Sequence, residues 1–154
     1  MTHRKDWVRA LTAHAPATLI DLAEQLTSDV VVTLSRLPQA GLGLVKLTDG
    51  AFHEEFYLGE FPLSTCSVDI CLVNGRRASG AAQVMADDAE LARALAILDA
   101  MLADKLPGWE TVADFVDAGN QQRAIEEQRR KTLLNETRVD FDLLSNTEND
   151  DVKT

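Results

Sequence analysis

The segment His53-Glu54-Glu55-Phe56-Tyr57 begins like the helical motif of zinc proteases. That motif needs a second histidine four residues after the first, so that both ligands lie on one helix face. Tyr57 occupies this position, and the surrounding pattern is typical of a strand. We therefore predict no metal site here.

Gly41 and Gly43 match two of the three glycines in the Gly-x-Gly-x-x-Gly pattern of dinucleotide-binding loops. Lys46 stands at the third position, and no helix pattern follows. The chain also has no phosphate-binding loop that ends in Gly-Lys-Ser or Gly-Lys-Thr. We interpret this segment as a flexible turn between two strands and predict no cofactor bound by the chain alone.

The two cysteines, Cys66 and Cys71, lie five positions apart in a strand pattern. An odd spacing places their side chains on opposite faces, which excludes a disulfide between them. No histidine lies at zinc-ligand spacing, and no helix N-terminus is expected beside them to lower a thiol pKa. The carboxylate pair Glu54/Glu55 points to alternate faces, and Asp87/Asp88 fits a helix cap. We predict no catalytic residues.

A charged helix is predicted over residues 121–136, with basic side chains interleaved with Glu126 and Glu127. Ion pairs along a solvated helix face explain this pattern. Docking to a partner is the alternative, because so small an apolar stripe holds a helix poorly against its own core. The basic residues are Arg123, Arg129, Arg130 and Lys131.

The 154-residue chain carries a net charge of −10, which is unevenly distributed. Residues 1–77 hold 7 basic and 9 acidic side chains, whereas residues 78–154 hold 8 and 16. Such acidity excludes a general nucleic-acid binder, which needs clustered positive charge. We find no export signal or membrane span and expect a cytoplasmic protein. Residues 145–154 are expected to form a disordered acidic tail.

The hydrophobic pattern predicts one α+β domain over residues 1–144. Two helices precede an antiparallel sheet of about five strands, and further helices follow it. The strand over residues 76–84 is rich in Ala, Gly and Ser, which is typical of close approach by another backbone. The predicted strands cover residues 30–34, 44–47, 52–58, 66–72 and 76–84.

Four short blocks occur in a fixed order: Pro38 to Val45, Phe56 to Glu60, Leu63 to Val68 and Asn135 to Phe141. Trp7 and Ile97-Leu98-Asp99-Ala100-Met101 add to this pattern. Over most of residues 5–144 the chain thereby resembles the PhnG family, a small subunit of the bacterial carbon–phosphorus lyase system.

The resemblance implies an accessory role in a core complex with PhnH, PhnI and PhnJ subunits. With PhnI, such a subunit takes part in displacing adenine from MgATP by a phosphonate, which gives a ribose 1-phosphonate 5-triphosphate. Partners would then also cover the small-residue strand over 76–84 and the charged helix. We predict that the partner interface includes Arg123, Arg130, Arg138, Val139, Asp140 and Phe141.

The chain departs from the family pattern at two positions. Ser64-Thr65 replaces a common Thr-Arg, and Asp88 or Leu91, depending on the register, replaces a histidine at the start of the long helix. Any role of the replaced Thr-Arg pair and histidine is therefore not carried over to this chain. We expect the contribution of the subunit to be structural. Two other hypotheses stay open: a stand-alone small-ligand or regulatory module, and a hydrolase that uses Cys66 or the Glu54/Glu55 region.

Overall fold

The structure is a computed structural model that describes residues 2–137. Within these residues the strands pair antiparallel in chain order, β1-β2-β3. The predicted α+β class is confirmed. The elements are α1 (Arg4–Leu11), α2 (Pro16–Leu26), β1 (Val31–Thr48), β2 (Glu55–Cys71), β3 (Arg77–Val84), α3 (Ala89–Ala103) and α4 (Trp109–Glu136).

The prediction of about five strands was wrong, because two pairs of predicted strands are each continuous. Pro38 does not end β1, since it lies in an irregular stretch between Arg36 and Gln39 where the pairing register shifts. β1 is an edge strand, and proline is tolerated at edges and bulges. The predicted turn at Gly41 and Gly43 is also wrong, because both residues pair within β1.

Pro62 likewise lies inside β2, opposite Leu42 of β1. The pairing of β2 with β3 ends at Ser64, so Pro62 lies where β2 has β1 as its neighbour on one edge only. A missing N–H is tolerated at such an edge. The predicted strands over 52–58 and 66–72 are therefore one strand, joined through residues that sequence patterns assign to a turn.

The buried face of the sheet is formed by alternate residues of β2 and β3. Ser64, Cys66, Val68 and Ile70 point inward from β2, as the period of two predicts. On β3, small residues bring α3 very close. A β-carbon at Gly80 would overlap the Ala96 carbonyl oxygen and Ala100 of α3. The backbone approach predicted for this strand is therefore made by a helix of the same chain, rather than by a partner.

α3 is the centre of the core. It contacts β2 and β3 on one side and also α1, α2 and α4. The Asp88 side chain accepts a hydrogen bond from the Leu91 backbone N–H (2.8 Å), so the predicted aspartate cap is present. The buried residues of α3 are Leu91, Ala92 and every residue from Ala94 to Leu102.

One ionised pair joins three elements through Asp99, which is buried on α3. Its carboxylate accepts hydrogen bonds from the Arg4 guanidinium of α1 at 2.7 and 3.0 Å. It also accepts one from the Ala81 backbone N–H of β3 at 3.1 Å. The hydrogen bond to Asp99 raises the pKa of Arg4. Asp99 therefore fixes α1 and β3 relative to α3.

The last helix, α4, begins earlier than the charged pattern predicts. Its first half buries Val112, Val116 and Gly119, so residues 109–118 belong to the helix that continues over 121–136. A β-carbon at Gly119 would overlap the backbone of Ala10, so α1 and α4 cross in close contact there. No helix in residues 2–137 has the length and apolar character needed to span a membrane. The predicted tail over 145–154 lies outside the described residues.

We expect Gly80→Ala to lower the free energy of unfolding by about 1–3 kcal/mol, because the new methyl group overlaps α3. Gly41→Ala is the matched control, since a β-carbon there meets no atom within 4 Å. Its effect should stay within about 0.5 kcal/mol. Chemical denaturation of both variants measures the difference, and equal losses would contradict the close α3–β3 packing.

We expect Asp99→Asn to lower the free energy of unfolding by about 1–3 kcal/mol, because charge-assisted hydrogen bonds are lost. Arg4→Ala should add little to this loss, since both substitutions remove the same interaction. Asp114→Asn, on the exposed face of α4, is the control. A double-mutant cycle measures the coupling, and additive effects of Arg4→Ala and Asp99→Asn would show that the pair contributes nothing.

Candidate functional site

The β1–β2 hairpin extends beyond the core as a two-stranded ribbon, residues 41–63, which we call the arm. Its strands pair from Gly41 opposite Leu63 to Thr48 opposite Glu55, past the end of β3. Eight residues of β1 make this ribbon about 25 Å long. No residue of the arm is buried. Its large apolar side chains are therefore available to a partner.

Phe61 and Phe56 lie on one face of the arm. They lie opposite Gly43 and Leu47, which share a face because they are four residues apart in β1, and directly opposed residues share a face. Phe61 lies opposite Gly43, and a β-carbon at Gly43 would overlap the Phe61 ring. Leu47 lies opposite Phe56, with both side chains exposed. The glycine therefore serves to let an aromatic ring lie across the neighbouring strand.

The opposite face of the arm carries both apolar and charged side chains, since Glu60 lies opposite Leu44. Leu42 is 69% exposed and Tyr57 is 63% exposed, and Leu44 lies between their positions. A surface ion pair on this face joins Lys46 Nζ to Glu55 Oε2 at 2.6 Å. The register shifts between Val45 and Lys46, where β2 holds an extra residue. The strand pattern alone does not identify this surface, although apolar residues at both odd and even positions of the segment are a signal for it.

The tip of the arm is an ordered turn that presents Phe52, which is 82% exposed. Asp49 organises it: its side chain accepts a hydrogen bond from the Phe52 N–H (2.8 Å), and its N–H donates to the Glu54 carbonyl (2.8 Å). His53 adopts a left-handed backbone conformation with φ of 57°. Among residues 2–137, no group of three or more His, Cys, Asp or Glu side chains could hold a metal ion.

The second half of α4 carries the other predicted surface, and Arg123 contacts α1 there. Its guanidinium donates to the carbonyl oxygens of Thr12 (2.9 Å) and Arg9 (3.3 Å), at the C-terminal end of α1. It also pairs with Glu126 at 3.6 Å. Arg123 therefore holds α4 on α1, whereas its role in a partner interface stays a prediction.

Arg130 lies on the exposed part of α4, in a surface groove that Arg9 and Leu134 also line. The neighbouring Lys131 pairs with Glu127 at 2.9 Å, and that hydrogen bond lowers the pKa of Glu127. The ion pairs expected along this helix are thus present. The other predicted interface residues, Arg138, Val139, Asp140 and Phe141, lie outside the described residues.

A cavity of about 540 Å³ opens at the end of the sheet opposite the arm. Its apolar lining includes Leu26, Ile70, Met101 and Leu106, and Asp29 is its one ionisable side chain. Cavities of this size suit small ligands, although such sites also place several converging polar groups. Gln25, Thr27, Ser28 and Asn74 supply polar groups here, so the cavity offers both apolar contact and hydrogen-bonding groups.

A protein-family model for the phosphonate metabolism protein PhnG matches residues 2–146. The chain belongs to the PhnG family. Comparison with curated proteins gives no match. Membership of the PhnG family implies a part in phosphonate metabolism, and the predicted resemblance is confirmed.

In the register that places Asp88 at the expected histidine position, the two expected departures from the family pattern lie together. The buried Ser64 hydroxyl donates to the Ala86 carbonyl (2.7 Å) and accepts from the Asp88 N–H (3.1 Å). Asp88 in turn caps α3. Ser64 and Asp88 therefore fix the connection from β3 to α3.

Both cysteines of this PhnG family member are free thiols, as predicted. Cys66 is buried on the core face of β2, and desolvation raises the pKa of its thiol. A raised pKa lowers the thiolate fraction at neutral pH and so opposes a role as nucleophile. Cys71 is half-buried on the opposite face.

We expect native Cys66 to react with iodoacetamide at pH 8 at least about tenfold more slowly than Cys71, because burial limits both access and thiolate. In denaturant the two rates should become similar, which is the internal control. Mass spectrometry of tryptic peptides over time measures each rate. Faster labelling of Cys66 in the native chain would contradict its placement and revive the hydrolase hypothesis.

Proposed function

We propose that the chain is an accessory subunit of a carbon–phosphorus lyase core complex. Together with a PhnI-like subunit, it supports the displacement of adenine from MgATP by a phosphonate, which gives α-D-ribose 1-phosphonate 5-triphosphate. The complex would also contain PhnH- and PhnJ-like subunits. MgATP is a substrate of the complex in this proposal, and the chain alone binds no cofactor.

The observation that carries the proposal is the PhnG family match, which spans residues 2–146. It covers the core helices, the sheet and the whole arm, so the features described above belong to the family domain. Phosphonate metabolism follows from membership. The subunit role and the reaction are the proposed part, and the structure supports them through two further properties.

The first property is that the described residues hold no cluster of His, Cys, Asp and Glu side chains, and that both glutamates of the groove on α4 are already paired with basic side chains. Asp99 is the one buried carboxylate among residues 2–137, and Arg4 and the Ala81 N–H already bind it. The chain carries a net charge of −10, which makes it a poor electrostatic host for ATP and phosphonates. Both facts favour an auxiliary over a catalytic role.

The second property is the arm, whose exposed apolar side chains are typical of an interface rather than of a free surface. Seven large apolar residues of the arm are exposed, at both faces and at the tip. A subunit that functions inside a complex accounts for such a surface. They are Leu42, Leu44, Leu47, Phe52, Phe56, Tyr57 and Leu58.

The second candidate function is a small-ligand or regulatory module, and the apolar cavity between Leu26, Ile70 and Leu106 is the observation that favours it. This candidate requires ligand binding by the chain without a partner. The polar side chains of Gln25, Thr27, Ser28 and Asn74 also line the cavity, but this candidate leaves the arm unexplained. The accessory-subunit proposal accounts for both the family match and the arm.

Co-expression with the PhnI-like protein of the same organism tests the proposal. We expect the two chains to co-purify and to release adenine from ATP plus methylphosphonate, with adenine measured by chromatography. Each chain alone and the pair without methylphosphonate are the controls. Failure to form a complex, or equal adenine release by the PhnI-like protein alone, would contradict the proposed function.

A further inference from the structure

The strands of the arm pair only with each other, and no other described strand lies beside them. β3 ends opposite Ser64, so the edge of β2 over residues 55–63 has no neighbouring strand among residues 2–137. β1 is the edge strand on the other side. An isolated two-stranded hairpin is marginally stable in water. The arm therefore gains most from a partner that covers it.

Both faces of the arm, rather than one, carry exposed apolar side chains. Leu47 and Phe56 form a pair on one face, and Leu42 and Tyr57 lie on the other, beside the Lys46–Glu55 ion pair. Soluble sheets with one free face usually keep that face polar. A partner that contacts a single face would leave the apolar side chains of the second face in water. The pattern thus fits insertion of the arm into a groove.

The charges of the arm indicate the chemistry of that groove. The arm carries four carboxylates and one lysine, Lys46, which is already paired with Glu55. Asp49, Glu54 and Glu60 lie near the tip and along β2. Complementary potentials steer association and fix register. The rim of the groove should therefore present lysine or arginine side chains.

A second copy of this chain fits that description poorly. Two copies carry −10 each and repel one another at long range. The basic residues of the exposed α4 half are interleaved with Glu126 and Glu127, which pair with Arg123 and Lys131. Residues 2–137 therefore present no apolar groove with a basic rim for the arm of another copy.

We propose that the arm inserts into an apolar groove with a basic rim on a different polypeptide chain, which covers both arm faces. The inference rests on the proposed function in one respect: the partner used in its test is the PhnI-like subunit. The arm is then the main anchor, and α4 contributes a separate contact. Hot spots of interfaces are enriched in aromatic side chains, so Phe56 and Tyr57 should dominate.

Three double variants test the proposal by calorimetric titration with the purified PhnI-like subunit. Leu47→Ser with Phe56→Ser alters one face, and Leu44→Ser with Tyr57→Ser alters the other. Val73→Ser with Met85→Ser is the matched control, because these side chains are as exposed but lie outside the arm. We expect each arm variant to weaken binding by about tenfold or more and the control to change it less than about threefold.

Charge reversal provides an independent readout. Glu54→Lys with Glu60→Lys should slow association and weaken its salt dependence, because steering by opposite charges is lost. The same substitutions leave folding intact, since both side chains are exposed. Circular dichroism and denaturation of every variant separate a binding defect from unfolding. Faster association of the reversed variant would contradict a basic rim.

The outcomes distinguish the two proposals. If the wild-type chain binds the PhnI-like subunit and both arm variants bind as well as the control, the arm inference is wrong and the proposed function stands. If the wild-type chain binds none of the PhnI-, PhnH- and PhnJ-like proteins, both are contradicted. Light scattering tests whether a second copy of the chain covers the arm instead. A wild-type dimer that dissociates in the arm variants would identify a second copy and overturn the inference.

Discussion

The contact between Gly80 of β3 and the backbone of α3 is the constraint on which the rest of the structure depends. A side chain at that position would overlap the Ala96 carbonyl, so the helix reaches the sheet only across small residues. This approach places Asp99 within hydrogen-bond distance of the Ala81 N–H and of Arg4 on α1. One close packing thus orders the sheet, the central helix and the first helix together.

The same close packing explains where the buried part of the sheet ends. α3 covers the sheet where β3 is present, and β3 ends opposite Ser64. Ser64 and Asp88 fix the connection from β3 into α3 at that point. Beyond it the hairpin continues without a cover, and its apolar residues stay exposed. A well-packed core and an uncovered arm thus follow from one chain geometry.

Much of the core could be predicted from the sequence, because it depends on local periodicity. The alternation of Cys66, Val68 and Ile70 identifies a half-buried strand, and Asp88 marks a helix start. Pro38 and Pro62 misled the strand count, because proline is compatible with pairing at an edge, and edges are set by tertiary structure. The role of Arg123 was similarly hidden, since its acceptors lie more than a hundred residues away on α1. The interface residues 138–141 stay a prediction.

We expect the arm to become covered when the chain joins its complex. Hydrogen–deuterium exchange of the free chain and of its complex with the PhnI-like subunit tests this claim most directly, with α3 as the internal reference. Exchange over residues 41–63 should be fast in the free chain and strongly slowed in the complex, while α3 is protected in both. Equal exchange of residues 41–63 in the two states would contradict it.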